Sequence, residues 1–166
     1  MGRYRAPQKP GSKYITAEGY QKLAEELDHL WFELRPEVTR AVSAAAAEGD
    51  RSENAEYIYR KKQLREIDSR VRFLRKRLED MKVVSTVPEN QGKVFFGAWV
   101  TFEDEKGDER CYRIVGPDEF DMQEEYISMD SPVAKALLGK ELDDEVVMDL
   151  PGGKSTLIIL DVDYKK

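Results

Sequence analysis

The stretch Leu64-Arg65-Glu66-Ile67-Asp68-Ser69-Arg70-Val71-Arg72-Phe73-Leu74-Arg75-Lys76-Arg77-Leu78-Glu79-Asp80-Met81 decides the fold. Its apolar residues Leu64, Ile67, Val71, Leu74, Leu78 and Met81 step by 3, 4, 3, 4 and 3. That is an uninterrupted seam on one face of a long helix. Working upstream, Leu23, Leu27, Leu30, Leu34, Val38, Ala41 and Ala45 form a second stripe at spacings of three and four. Thr16 is a candidate N-cap for that first helix, with Ile15 as a hydrophobic staple. Pro36 interrupts the stripe and should bend the helix or break its hydrogen bonding locally. Gly49 suits the position just past the helix end. Two such helices joined by a tight turn make an antiparallel hairpin, each arm of about 30 residues spanning about 45 Å.

Downstream of Gly92 the period changes. Val94 to Phe102 is β-branched and aromatic and reads as a strand. Glu105-Lys106-Gly107-Asp108 is a turn into a strand over residues 111–115. A third strand is expected over Glu125–Met129, and two more over Glu145–Leu150 and Ser155–Val162. Ser131-Pro132 should open a short helix, Ser131 as N-cap and Pro132 at the first position, with Gly139 closing it. The fold class is therefore α+β. The expected division is an N-terminal arm over residues 1–13, a hairpin over 14–84, a linker over 85–91, and an antiparallel sheet domain with a short helix over 92–166.

The composition agrees with an exposed rod. Charged residues make up 36% of the 166 residues, against roughly 25% in an average soluble domain. The net charge of -6 averages two unlike parts. Residues 1–91 carry 18 Lys/Arg and 15 Asp/Glu, a net of +3, and residues 92–166 carry 9 and 18, a net of -9. Residues 60–77 hold nine basic residues against Glu66 and Asp68. Such a run is most often a solvated helix face, but those faces usually mix signs, so the imbalance also leaves room for a basic working surface despite the acidic net charge.

Several classes are excluded. No apolar run approaches the roughly 20 residues that span a bilayer. The N-terminus lacks an apolar signal core, and Ala6 breaks the myristoylation pattern begun by Met1-Gly2. One cysteine, Cys111, precludes an internal disulfide framework, and one histidine, His29, precludes a His-rich metal site. The expectation is a soluble, cytoplasmic protein without a membrane partner. Cys111 is expected buried in its strand, His29 exposed, and Trp31 and Trp99 packed in a core or between domains.

The hairpin turn reads Gly49-Asp50-Arg51-Ser52-Glu53-Asn54-Ala55-Glu56-Tyr57. Asp50 and Glu53, three apart, support two readings. They form a capping box, Asp50 as N-cap and Glu53 at N3, with the helix dipole favouring both charges. Alternatively they are displayed for a divalent cation, since Mg²⁺ takes oxygen ligands and often only one or two carboxylates. Two acids on a bare tip would complete a site supplied by another molecule.

This tip motif resembles that of the bacterial transcript cleavage factors of the GreA/GreB family. Three more stretches match in order: Arg35 to Thr39, Gly92 to Val100, and Asp130 to Lys140. The resemblance runs from about Tyr14 to Tyr164. Leu30-Trp31, Phe95-Phe96-Gly97-Ala98-Trp99 and the basic run favour the GreB branch. The N-terminal arm departs from the family's usual short start.

The resemblance implies a fold and a mechanism. The C-terminal domain would be FKBP-like and would dock on bacterial RNA polymerase through Asp130, Ser131, Pro132 and Leu137. The hairpin would enter the polymerase secondary channel. Asp50 and Glu53 would be the catalytic acids, sharing a Mg²⁺ of the polymerase active site, so that the polymerase cleaves the backtracked 3′ end of nascent RNA. The factor would not itself be an enzyme, and no cofactor is expected in the free protein, which is expected to be a monomer. Asn54 and Tyr57 would order the tip, although Tyr57 also fits simple packing on the other helix. Arg51, Arg60, Lys61, Lys62 and Arg65 would contact RNA phosphates, a largely sequence-blind and salt-sensitive interaction. Arg70, Arg72, Arg75, Lys76 and Arg77, farther from the tip, read as a solvated face. A prolyl isomerase with an appended coil and a purely structural adaptor are the competing classes; fold alone does not imply isomerase activity.

Overall fold

The computed structural model describes residues 11–50 and 53–165. The chain divides into two compact units. One is Glu18–Met81; the other joins the segment up to Ala17 to the chain from Lys82 onward.

The first unit is the helical hairpin. Helix α1 spans Ala17–His29 and α2 spans Arg35–Ala47. Between them Leu30–Leu34 is a π-helical turn, and the Arg35 N–H donates to the Leu30 carbonyl. Pro36 explains it. Proline has no N–H, so the preceding turn widens by one residue and the helix continues without a break. Helix α3 spans Ala55–Asp80. Val38, Ile67 and Val71 are buried together, with Leu27, Leu30, Leu34, Val42 and Leu64 packed around them. Leu23 and Leu74 are also buried. Polar ties cross the seam: Arg35 Nε donates to Asp68 (2.7 Å), and Arg70 donates to both oxygens of Glu26 (2.7 and 3.0 Å). The Asp68 hydrogen bond, with its charge, holds the Arg35 guanidinium above its usual pKa.

The second unit contains two sheets. Strands β1 (Tyr14–Thr16) and β2 (Lys82–Val84) pair in parallel, with Ile15 opposite Val83. The larger sheet comprises β3 (Trp99–Asp104), β4 (Glu109–Val115), β5 (Tyr126–Ser128), β6 (Glu145–Leu150) and β7 (Gly153–Asp163), in the order β5-β4-β3-β7-β6. It is not wholly antiparallel. β5 pairs with β4 in parallel, because the chain crosses over through residues 116–125 instead of turning straight back. Helix α4 (Pro132–Leu137) contributes Ala134 and Leu137 to a core with Val100, Phe102, Ile114, Val146, Leu157 and Ile159.

The strand expected from Val94 starts only at Trp99. Gly97 has φ 87°, and the Ala98 N–H closes a turn on the Phe95 carbonyl. Val94 is nonetheless fully buried. The Tyr164 hydroxyl holds this irregular segment, donating to the Lys93 carbonyl and accepting from the Phe95 N–H (2.9 Å). Burial pushes the Tyr164 phenol pKa up.

One polar knot was not anticipated. Glu119 is 0% exposed. Its Oε1 accepts from the Thr16 N–H (2.9 Å) and the Gly116 N–H (2.8 Å), and its Oε2 from the Thr16 hydroxyl (2.6 Å). Three donors satisfy a carboxylate that would otherwise be costly to bury. Gly116 permits the close approach, since a Cβ there would lie 2.0 Å from the Tyr14 carbonyl oxygen.

Candidate functional site

The tip is built by Asn54. Helix α2 ends at Ala47, with the Glu48 N–H closing on the Ala45 carbonyl (3.2 Å). The Asn54 side-chain amide reaches across and donates to the same carbonyl at 2.7 Å. Its Oδ1 accepts from the Tyr57 N–H (3.1 Å), which makes Asn54 the N-cap of α3. One side chain thus satisfies orphan groups on both helices.

This overturns the capping reading of Asp50 and Glu53. Helical backbone begins only at Ala55, so Asp50 lies too far upstream to cap it. Asp50 and Glu53 are both exposed, in a turn where the Glu53 N–H meets the Asp50 carbonyl at 3.4 Å. The acids sit outside the frame that Asn54 holds. Among the described residues no three His, Cys, Asp or Glu side chains converge as a metal cluster. Arg51 lies outside the described residues.

Tyr57 is half-buried, with the Lys61 ammonium 5.7 Å from its ring centroid. The basic residues below the tip are not equivalent. Arg60 donates to Glu56 (2.8 Å) and Gln63 (3.1 Å), and the Glu56 hydrogen bond raises its pKa above the usual value. Lys62 is 4.0 Å from Glu66. Arg65 is exposed and makes no ion pair with any described residue. Lys61 and Arg65, four apart, share a helix face, about 10 and 16 Å along the axis from Asn54 at 1.5 Å per residue.

Farther down, Arg70 is committed to Glu26. Trp31 is not core: it is 37% exposed, with the guanidinium carbons of Arg75 and Arg35 at 4.3 and 5.1 Å from its ring. The widened turn that accommodates Pro36 also leaves Phe32 71% exposed. His29 is exposed and bonded to Glu33 (2.9 Å). Cys111 is only half-buried. Trp99 is half-buried and packs edge-on to Tyr126.

The expected docking residues divide. Ser131 caps α4, its hydroxyl accepting from the Ala134 N–H (3.2 Å), and Pro132, exposed, opens the helix as expected. Leu137 is fully buried in the sheet core, so it supports the helix from inside and presents nothing to a partner. Asp130 is turned inward to Ser12.

Comparison with known proteins covers the whole architecture. The family described as "Transcription elongation factor, N-terminal" matches residues 13–83, and "Transcription elongation factor, GreA/GreB, C-term" matches residues 89–164. The chain is 58% identical to a transcription elongation factor GreB of Pseudomonas aeruginosa over 164 residues, 99% of this chain and 98% of the relative. It is 61% identical to one of Yersinia pestis, covering 93% of this chain and 90% of the relative. Among solved structures, GreA factor homolog 1 of Thermus thermophilus is similar over 90% of this chain and 97% of its own, at 25% identity and a TM-score of 0.40.

Proposed function

Because the chain belongs to the GreA/GreB family of transcription elongation factors, we propose that it inserts its hairpin into the secondary channel of bacterial RNA polymerase and stimulates Mg²⁺-dependent cleavage of backtracked RNA. The observation that supports this reading most is that Asn54, and neither Asp50 nor Glu53, caps α3. With the cap supplied by Asn54, both carboxylates are exposed at the turn ahead of the helix.

Asp50 and Glu53 offer only oxygen donors, the class Mg²⁺ takes. They would complete the shell of a metal that the polymerase already partly holds. Bound there, the metal supplies charge stabilisation to the attacking and leaving oxygens of an in-line phosphoryl displacement. The chain's own contribution is positional. Asn54 fixes the turn, and the exposed acids project from it.

Lys61 and Arg65 are the cations best placed to neutralise phosphates at the extruded RNA 3′ end. Arg60 and Lys62 do so only by giving up Glu56 and Glu66. Ser131 and Pro132 form the polymerase-docking loop, with Asp130 shaping it. The factor is auxiliary: the bond is broken in the polymerase active site. It acts as a monomer in the bacterial cytoplasm, where polymerase is. Among the described residues no helix is long and apolar enough to cross a membrane.

The test is a cleavage assay on a halted, backtracked complex. Asp50→Ala/Glu53→Ala should bind polymerase within about twofold of wild type and lose cleavage by about 10²-fold or more. Cleavage at the wild-type rate would remove the acids from the chemistry.

A further inference from the structure

Both carboxylate oxygens of Asp130 are occupied from within the protein. The Ser12 N–H donates to Oδ2 at 2.9 Å, and the Ser12 hydroxyl donates to Oδ1. The contact joins positions 118 residues apart. Gly11 lies beside it, its missing Cβ position 3.2 Å from Pro117 Cγ and 3.5 Å from Asp130 Oδ2. The N-terminal segment is therefore seated between Pro117 and Asp130. From the other side, the Asp130 N–H donates to the Ser128 hydroxyl (3.1 Å), the Ser131 N–H to the Ser128 carbonyl (2.9 Å), and the Met129 N–H to the Val115 carbonyl (2.8 Å).

The loop before Ser131-Pro132 is thus held twice, by β4 and by the N-terminal segment. The one tie to β4 and the two bonds to Ser128 are between neutral groups. The Ser12 pair ends on a carboxylate, and charge-assisted hydrogen bonds are roughly twice as strong as neutral ones. The sheet core lies elsewhere, around Ile114, Leu137 and Ile159. Losing the Ser12 pair should loosen the loop while leaving the core intact.

We propose that Ser12 is a positioning residue of the docking loop. It holds Asp130 and so sets how Ser131 and Pro132 are presented to the polymerase. This rests on the docking role proposed above. It also reassigns Asp130, from a direct partner contact to the internal anchor of the N-terminal segment.

The test measures polymerase affinity of the full-length protein by fluorescence anisotropy, with melting followed by circular dichroism. Ser12→Ala should weaken binding about five- to tenfold, the loss of one hydrogen bond to a charged group. Ser12→Asp sets two carboxylates face to face and should weaken it more. Ser12→Asp with Asp130→Asn should restore most of the affinity, because the Asn amide donates to the new acid. Rescue by the exchanged pair is a result that general destabilisation does not produce. Pro132→Asp serves as the control for docking itself. If Pro132→Asp loses affinity while Ser12→Ala and Ser12→Asp bind like wild type, the role of Ser12 is refuted and the docking loop stands. If Pro132→Asp also binds like wild type, the docking loop falls, and the role of Ser12 with it.

Discussion

The two loops that carry the proposed function are built in opposite ways. At the hairpin tip, Asn54 makes the frame and the acids hang outside it. In the loop ahead of α4, the residues expected to meet the partner are the frame: Ser131 caps the helix and Asp130 binds the N-terminal segment. On the proposed function, stability and chemistry are separable at the tip and fused at the loop. Replacing a tip acid should leave the Asn54 cap in place, whereas a change at the loop should alter shape and recognition together.

That contrast can be sharpened, or broken, by substitution. The largest effect on stability is expected in the sheet unit. Gly116→Ala drives a methyl into the Tyr14 carbonyl, 2.0 Å away, and overpacking of this kind costs up to about 3 kcal/mol. Urea unfolding should show it. Next comes the tip chemistry. Glu53→Gln should raise the Mg²⁺ concentration for half-maximal factor-stimulated cleavage about 10- to 100-fold, the scale of a weakened metal shell, with no change in melting.

Asn54→Ala tests the frame itself. Loss of the cap should cost about 1 kcal/mol and lower cleavage through a loosened turn. If it costs stability and leaves cleavage intact, the frame is not what positions the acids. Arg65→Ala should have a smaller effect, reducing the salt slope of RNA crosslinking by about 0.7 if it meets one single-stranded phosphate; Arg60→Ala, already paired, should change it less.

The smallest effect is one of pH. The backbone N–H groups of Asp108 and Lys106 hold the Asp104 carboxyl below its usual range. Its folded pKa lies below its unfolded one. Its stabilisation is therefore present above about pH 4 and fades as pH falls through the lower folded value. Asp104→Asn should flatten the acid limb of the stability curve.

How much of this was legible depended on the length of each signal. The seam from Leu64 to Met81 repeats five times, enough to fix helix, face and hairpin. The Ser131-Pro132 start was legible because both residues act locally. β1 and β2 were not, since three residues each give alternation nothing to work on. Glu119 read as one more acid in an acidic domain; its burial depends on Thr16, 103 positions away. Asp50 and Asn54 are both good N-caps by type. The choice between them was made by the Ala45 carbonyl, which only the closed hairpin brings within reach of Asn54. Val94 to Ala98 has strand composition, but its neighbours impose a turn at Gly97.

The central claim is that Asp50 and Glu53 act in chemistry and not in folding. The most direct measurement takes one preparation of Asp50→Asn/Glu53→Gln and records both its melting curve and its cleavage rate at saturating factor on a halted polymerase. The account predicts an unchanged melting curve and a rate lowered about 10²-fold or more. A lowered melting temperature with a wild-type rate would contradict it and return the two acids to the helix end.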